Sequence, residues 1–207
     1  MIYMTKIIFT LLLISSCSFI DYGQLPAIIK DSIYDKDIVI DDEFYNAQKY
    51  SFAKIKIGKS IVAIAVLASA SKEKYVWISQ DGVRIYTNNG RITKTVGLQH
   101  DISILDGSQN INLASFVNYD PSKSYVRNAL IELSNPHAII SQNFNLTEKG
   151  IDSKYFNSML YSEDFASGKL AFGGSNYYWV DPRGRVIKTE QFIHPKLPKV
   201  VMEFYFK

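Results

Sequence analysis

The stretch that decides the fold runs from Lys74 to Thr95 and reads KYVWISQDGVRIYTNNGRITKT. Segments rich in β-branched and aromatic residues are separated there by two turn sequences, Asp81-Gly82 and Asn88-Asn89-Gly90. Such pairs supply the positive φ angles that tight hairpin turns require. The stretch therefore predicts a meander of three antiparallel strands, at 74–80, 83–87 and 91–95.

The segments before this meander predict two further strands and two short helices. Phe52–Gly58 alternates apolar and basic residues, which is typical of a strand with one face in the core and one in water. The apolar run Ile61–Ala70 predicts a central strand buried on both faces, and a hairpin at Gly58-Lys59-Ser60 is the economical connection. Short helices are expected at Leu25–Asp31 and after Asp41-Asp42, where a carboxylate caps the helix start.

The remainder of the chain predicts more strands after an irregular middle. Residues 98–124 are poorer in pattern, and we expect loops there with one helical turn. Strand-like segments resume beyond it, at 125–134, 137–146, 169–172, 176–180, 185–192 and 200–206. The expected fold is mainly β, an antiparallel sandwich or a partly open barrel with one or two short N-terminal helices.

The N-terminus predicts how the protein reaches its compartment. Lys6 precedes the apolar run Ile7–Ile14, which is far shorter than the roughly 20 residues a membrane-spanning helix needs. The next residues, Ser15-Ser16-Cys17, make this region similar to the lipobox of bacterial lipoproteins, in which the cysteine thiol is diacylated and the signal is removed before it. We expect a signal peptide at 1–16, a lipidated tether at 17–24 and a single β-rich periplasmic domain at 25–207.

Lipid on Cys17 determines the expected location. Two or three acyl chains hold a protein durably on a membrane. In Gram-negative lipoproteins an Asp after the cysteine retains the protein in the inner membrane, whereas this chain has Ser18. The prediction is therefore a protein anchored in the outer membrane with its domain facing the periplasm.

Composition argues against a nucleic-acid partner. Once Lys6 is removed from the 23 basic residues, 22 remain against 20 acidic residues. They are scattered along the chain without a run of five or more, so the basic patch typical of nucleic-acid binders is missing. Nothing in this charge distribution calls for a polyanionic partner.

The residues also give little support for enzymatic activity. The three histidines, His100, His137 and His194, are too far apart in sequence for a local metal motif, and we expect neither a metal nor another cofactor. Asp81 and Asp181 are candidates for a glycosidase pair, with one carboxylate as the acid and the other as the nucleophile. Both lie in predicted turns, where Asp commonly accepts hydrogen bonds from its own backbone, so a structural role is favoured and no catalytic residue is predicted.

Three stretches resemble a known protein family. They are Tyr75–Gly82, then Thr87–Ile92 with Thr95–Leu98, and Tyr178–Gly184 with Gln191 and Pro195. In order and spacing they are similar to the YjbF/GfcB family, whose members are lipoproteins associated with exopolysaccharide and group 4 capsule production. The resemblance implies a β-rich periplasmic domain that is tethered to the outer membrane and serves surface polysaccharide assembly or export. The resemblance assigns no catalytic residues to this chain, because none is established for the family.

Aromatic and basic side chains supply the candidate contact residues. Tyr177-Tyr178-Trp179 puts rings on both faces of one predicted strand, since neighbours alternate. One face belongs to the core, and the other face offers rings that stack on sugars, unless Trp77 and Trp179 are core residues and the tyrosines are cross-strand packing partners. The candidate contacts with glycan or a partner protein are Trp77, Tyr86, Arg91, Tyr178, Trp179 and Arg185.

Taken with the resemblance, these features predict a non-catalytic lipoprotein that assists production or export of an extracellular polysaccharide. It would do so by binding glycan or components of the export machinery. Two alternatives stay open: an envelope interaction scaffold without glycan contact, and a carbohydrate-active enzyme. The scaffold would show an apolar strip beside an unpaired strand, and the enzyme would show a cleft with two carboxylates.

Overall fold

The computed structural model describes residues 38–207 except 61, 73, 108–115, 117–118, 121, 124 and 169. The predicted signal peptide, Cys17, the tether and the helix at 25–31 lie outside the described residues. No helix in the described part of the chain is long and apolar enough to span a membrane.

The described residues form one short helix and twelve strands. The helix, α1, spans Asp42–Ala47. The strands are β1 Phe52–Ile57, β2 Ala63–Ser71, β3 Lys74–Ser79, β4 Arg84–Asn88, β5 Arg91–Val96, β6 Ile102–Gly107, β7 Tyr125–Leu133, β8 Ala138–Asp152, β9 Ser158–Ser167, β10 Gly173–Val180, β11 Val186–Gln191 and β12 Val200–Tyr205.

The strands close into an antiparallel barrel, which confirms the mainly β, antiparallel class and corrects the finer prediction of a sandwich or a partly open barrel. Each strand pairs with its neighbour in sequence, and β1 pairs with β12 from Phe52↔Tyr205 to Ile57↔Val200. This last pairing joins the two ends of the sheet, so each of the twelve described strands has a paired neighbour on both sides. Local sequence patterns specify strands and turns but not the partner of a terminal strand, which is why closure was not predicted.

Helix α1 confirms the predicted helix start at Asp41-Asp42. The Asp41 carboxylate accepts a hydrogen bond of 2.7 Å from the backbone N–H of Phe44. The Tyr45 hydroxyl donates to the carbonyl of Phe206, and the Phe44 ring packs edge-on against Phe52. The helix therefore covers the outer face of the barrel where β1 and β12 close it.

The meander from β3 to β5 has the predicted turns. Gly82 has a φ of +85°, while Asn89 and Gly90 have φ values of +48° and +74°. The hairpin at Gly58-Lys59-Ser60 between β1 and β2 is confirmed as well, with Ser60 N–H donating to the Ile57 carbonyl. These turns succeeded as predictions because a positive φ restricts residue type locally.

Three strand predictions were wrong. Strand β6 lies inside the region expected to be loops, and its first residue, Ile102, pairs with Leu133 of β7. Strand β9 was missed because the buried polar residues Ser162 and Glu163 hide its apolar alternation. Of the segment expected at 169–172, the described residues 170–172 are not in a strand.

Strand β2 also departs from its prediction. Its apolar run was expected to be buried on both faces, yet residues 68–71 are exposed. Ala65 and Leu67 pair with residues of β3 on the face that carries Trp77. The side chains that follow them in β2 are exposed. In a single closed layer only one face of a strand meets the core, so the small alanines at the end of β2 are left in water.

Side chains fill the barrel interior. Trp77 is fully buried and its indole N–H donates to the Thr87 hydroxyl at 3.0 Å. Tyr178 on β10 and Val200 and Met202 on β12 are likewise fully buried. A void in the polar part of this core measures only about 20 Å³, roughly the space for one water molecule. A large ligand at this part of the barrel must therefore approach from outside.

Candidate functional site: a buried charge cluster beside a basic groove

The turn between β4 and β5 places Arg91 inside the barrel. Gly90 packs so closely on Val186 that an added Cβ would lie 2.5 Å from its Cγ1 atom. The Gln191 amide clamps the turn, because its Nε2 donates to the Gly90 carbonyl at 2.8 Å and its Oε1 accepts from the Ile92 N–H at 3.0 Å. The start of β5 is thus held against β11, which is not its neighbour in the sheet.

Arg91 belongs to a buried cluster with Glu163 and Arg127. The three side chains are 4%, 1% and 7% exposed, respectively. Glu163 Oε1 accepts from Arg91 Nε at 2.9 Å and from Arg127 Nε at 3.4 Å. Its Oε2 accepts from Arg127 Nη2 at 3.3 Å and from the Tyr178 hydroxyl at 3.0 Å. One carboxylate therefore receives four donors from three residues.

The cluster sets the protonation states of its members. Burial by itself raises the pKa of Glu163, but attraction to Arg91 and Arg127 and their hydrogen bonds outweigh burial and lower the pKa to about 2. Burial and the Glu163 charge raise the pKa of the Tyr178 hydroxyl well above its ordinary value. Glu163 is therefore ionised and Tyr178 is protonated near neutral pH.

Aromatic rings enclose the two guanidinium groups. The Arg91 guanidinium carbon lies 4.9 Å from the centre of the Phe116 ring and 4.8 Å from that of Tyr178. The Arg127 guanidinium lies 3.6 Å from the Phe144 ring centre. Cations stack favourably on ring faces, and the effect is larger where water is excluded. The rings thus hold both arginines in fixed orientations.

A groove of about 510 Å³ lies against this cluster. We call it the seam groove, because Arg91 and Thr93 in β5 line it together with Ile104 in β6, and the described parts of β5 and β6 pair only at Lys94↔Ser103. Its described lining residues are Ser69, Ser71, Lys74, Tyr75, Val76, Tyr86, Thr87, Asn88, Arg91, Thr93, Ile104 and Arg127. Three of these are basic and none is acidic.

The structure brings only two of the predicted contact residues to the seam groove. Arg91 and Tyr86 line it, and Tyr86 is half-buried with the Lys94 ammonium 5.8 Å from its ring centre. Arg185 is exposed in the turn between β10 and β11, where it pairs with Asp181. It is not among the residues that line the groove.

Trp77, Tyr178 and Trp179 are not available as a stacking platform, which corrects their place among the candidate contacts and favours the alternative that these rings serve packing. Trp77 and Tyr178 are fully buried in the barrel. Trp179 lies on the outer face but is 7% exposed, with its N–H donated to Asp152 Oδ2 at 2.9 Å and Tyr155 packed on its ring. Strand alternation predicted the two faces correctly, but it did not reveal that the hairpin between β8 and β9 covers the outer one.

Asp81 and Asp181 have structural contacts in separate turns. Asp181 accepts from the backbone N–H groups of Arg183 and Arg185 at 2.9 and 2.8 Å, and Asp81 accepts from the Ser79 hydroxyl. The two carboxylates therefore serve their own turns, as the turn interpretation expected.

Two of the histidines stack on each other, with ring centres 4.8 Å apart. His100 Nδ1 lies 2.9 Å from the Asn135 carbonyl, and His194 Nε2 lies 3.1 Å from the Ser134 carbonyl. Burial first, and then the electrostatic effect of the neighbouring His100 and Lys196, lower the pKa of His194. Within the described residues no group of three or more potential metal ligands is assembled.

Sequence reasoning missed Arg127, Glu163, Lys74 and Gln191. A usable signal exists for Arg127, because it interrupts the apolar face of a strand that was predicted, whereas the strand that carries Glu163 was missed. Arg127 shares its face with Ala129 and Ile131, and Glu163 lies between Tyr161 and Phe165. Charged residues at such positions are buried and need partners. Lys74 and Gln191 carry no comparable signal, since polar residues are ordinary at strand ends.

The fold and site define a closed β-barrel with a filled interior and a basic groove beside a buried charge cluster. Comparison with known proteins identifies the family: the chain belongs to the YjbF family, described as the group 4 capsule polysaccharide lipoprotein GfcB, YjbF, whose model matches residues 16–205. The suspected resemblance is thereby confirmed. The family consists of capsule-polysaccharide-associated lipoproteins, which supports an association with the bacterial envelope.

Two individual proteins illustrate the similarity. The uncharacterized lipoprotein GfcB of Escherichia coli K12 is 25% identical over 180 residues, which covers 84% of each chain. The crystal structure of the hypothetical lipoprotein YmcC, also from Escherichia coli K12, superimposes with a TM-score of 0.68 at 21% identity. That match covers 80% of this chain and 88% of the other, and it supports the barrel fold.

Proposed function

We propose that this protein is anchored in the outer membrane through lipid on Cys17, faces the periplasm and assists the production or export of an extracellular polysaccharide without catalysis. The observation that carries the proposal is the family match over residues 16–205, which begins one residue before Cys17. Lipid at that cysteine keeps the protein at the membrane across which such a polymer leaves the cell.

The seam groove is the surface that we assign to contact with the polymer. Its volume of about 510 Å³ lies within the range of roughly 300–1,000 Å³ that is usual for small-ligand sites. Ser69, Ser71 and Thr93, whose side chains carry hydroxyl groups, line it beside the half-buried Tyr86. Such side chains suit a sugar, because hydroxyls exchange hydrogen bonds with it and a ring packs on its apolar face.

A binding role fits the groove better than glycoside hydrolysis. Hydrolysis ordinarily needs two carboxylates on opposite sides of the scissile bond, one of them protonated. None of the described residues that line the groove is acidic. The nearby Glu163 is a poor proton donor, because Arg91 and Arg127 lower its pKa to about 2 despite its burial.

The alternative of an interaction scaffold has one observation in its favour. Val126, Leu130 and Ile139 are 55%, 44% and 54% exposed on the outer faces of β7 and β8. We propose to separate the two roles with a Leu130→Lys, Ile139→Lys double variant, which leaves the seam groove intact. Normal polymer export by this variant supports the groove, whereas loss of export in a folded protein favours the scaffold.

The proposal is tested by deleting the gene and quantifying surface polysaccharide. We expect the polymer to fall, to return with the wild-type protein and to stay low with Cys17→Ala, which cannot be lipidated. Ser18→Asp is the matched control for location, since it keeps the lipid but adds the inner-membrane retention residue. Unchanged polymer in a deletion strain that carries no second copy of the gene contradicts the proposal.

A further inference from the structure

The buried cluster carries one positive charge in excess. Glu163 is ionised and faces two guanidinium groups, so the three side chains sum to a net positive charge. Burying an uncompensated charge is costly unless a counter-charge is supplied. The nearest carboxylate cannot accept further, because each Glu163 oxygen already takes two hydrogen bonds.

The excess charge is located on Arg91. Its Nε donates to Glu163, but Nη1 and Nη2 are buried and have no hydrogen-bond partner among the described residues. A guanidinium carries five N–H donors, of which four belong to these two nitrogens. A 4%-exposed side chain with four free donors is prepared for an acceptor that the described protein residues do not supply.

The seam groove offers access for such an acceptor. Arg91 lines it together with Lys74, whose side chain is exposed at the groove wall. The remaining charged residue in the described lining, Arg127, is already paired with Glu163. The groove therefore combines a buried, oriented guanidinium with a solvent-exposed ammonium, and its described lining contains no carboxylate that would repel an anion.

We propose that the seam groove binds an oxyanion carried on a sugar, with Arg91 as the buried anchor and Lys74 at the entrance. The planar fork of a guanidinium matches a carboxylate or a phosphate in a bidentate arrangement. The serine and threonine hydroxyls supply hydrogen-bond partners for the sugar itself. This inference rests on the proposed function and deepens it, since it names the chemistry of the polymer segment that is bound.

The test is calorimetric titration of the full mature lipoprotein in detergent with three sugars. Trigalacturonate carries carboxylates, glucose 6-phosphate carries a phosphate, and maltotriose is uncharged. We expect at least one anionic sugar to bind at least tenfold more tightly than maltotriose, and the tighter of the two identifies the oxyanion. Equal affinity for all three, or no binding of either anionic sugar, overturns the inference.

Variants assign the binding to the groove. Arg91→Gln and Lys74→Glu should each weaken binding of the anionic sugar at least tenfold, while Lys149→Glu, an exposed site on β8 outside the groove, should leave it unchanged. If Arg91→Gln does not fold, the Lys74→Glu variant, changed at an exposed site, still tests whether the anionic sugar binds in the groove. Binding that is insensitive to Lys74→Glu, or equally weakened by Lys149→Glu, contradicts the assignment.

Complementation separates this inference from the proposed function. A deletion strain that loses polymer and recovers it fully with Lys74→Glu keeps the proposed function and removes the oxyanion site. A deletion strain that never loses polymer breaks the proposed function, whatever the titrations show. Loss of polymer that wild type and Lys149→Glu restore, but Lys74→Glu does not, supports both.

Discussion

Two clusters of charged and aromatic side chains in this protein each hold two cations and one carboxylate, but they differ in whether the surplus cation is buried. On the outer face, the Lys188 ammonium contacts the Tyr155 hydroxyl at 2.5 Å and Glu190 Oε1 at 3.1 Å. It also lies over the rings of Tyr155 and Trp179, at 3.9 and 4.4 Å from their centres. Inside the barrel, Arg91 uses one of its three nitrogens and leaves the other two without a partner among the described residues.

The contrast separates a structural cluster from a binding one. Lys188 and Glu190 neutralise each other, and the second cation, Lys199, contacts Glu190 at 2.6 Å with a side chain that is 38% exposed, so water solvates its surplus charge. Such a group needs nothing further to be stable where it is. The inner cluster holds the same kinds of side chain, but its surplus charge borders a groove. Burial of charge by itself therefore does not indicate a ligand, whereas burial with unmatched donors does.

The largest loss of stability is expected from a substitution in the inner cluster. Glu163→Gln removes the carboxylate that pairs with both Arg91 and Arg127, so two buried cations lose their counter-charge. We expect a loss of about 3–5 kcal/mol in the free energy of unfolding, measured by urea denaturation. Arg91→Gln is the matched control and should cost clearly less, because Glu163 keeps Arg127 and Tyr178. Equal costs would show that Arg91 is not in excess.

Acid should remove a similar contribution of the inner cluster to the free energy of unfolding. The pKa of Glu163 is lowered to about 2 in the folded protein from an ordinary value of 4.5. The unfolded chain binds more protons between these values, so the contribution is complete above about pH 4.5 and is lost as the pH falls toward 2. It amounts to roughly 3 kcal/mol.

Unfolding free energies measured between pH 5 and 2 check this expectation. Glu190→Gln in the outer cluster is the control and should retain most of the acid-dependent loss, because Glu163 is untouched. If that substitution abolished the loss, the outer cluster and not the inner one would control acid stability.

The two tryptophans give a smaller contrast between the interior and the outer face. Trp77→Phe leaves the Thr87 hydroxyl without its indole donor in a fully buried site, and we expect a cost of about 2 kcal/mol. Trp179→Phe removes a donor to the half-buried Asp152 and should cost about 1 kcal/mol. Thermal and urea denaturation of both variants measure the difference, and a reversed order would contradict the assigned faces.

The smallest effect is expected at Arg185. Its ion pair with Asp181 is partly exposed, and the Arg185 side chain is 44% accessible. Surface ion pairs of this kind contribute little, so Arg185→Ala should change the free energy of unfolding by less than about 1 kcal/mol. It should also leave sugar binding unchanged, because Arg185 does not line the seam groove. Weaker binding would extend the contact surface beyond the groove.

Local sequence patterns predicted the parts of the fold that depend on neighbouring residues. The turns at Asp81-Gly82 and Asn88-Asn89-Gly90 were predictable, because positive φ angles at these positions restrict residue type. The cap at Asp41 was predictable for a similar reason. Strand β9 was not, since Glu163 on its inner face is stable only with Arg91 and Arg127 beside it.

The sequence by itself determined the β class, the turns of the meander, the helix start and the resemblance to a lipoprotein family. Only the tertiary structure decided that β1 closes the barrel on β12 and that Arg91 meets a carboxylate 72 residues away. The physical reason is that hairpin turns are specified by backbone angles of adjacent residues. Barrel closure and buried ion pairs depend instead on contacts between distant segments, which no local pattern encodes.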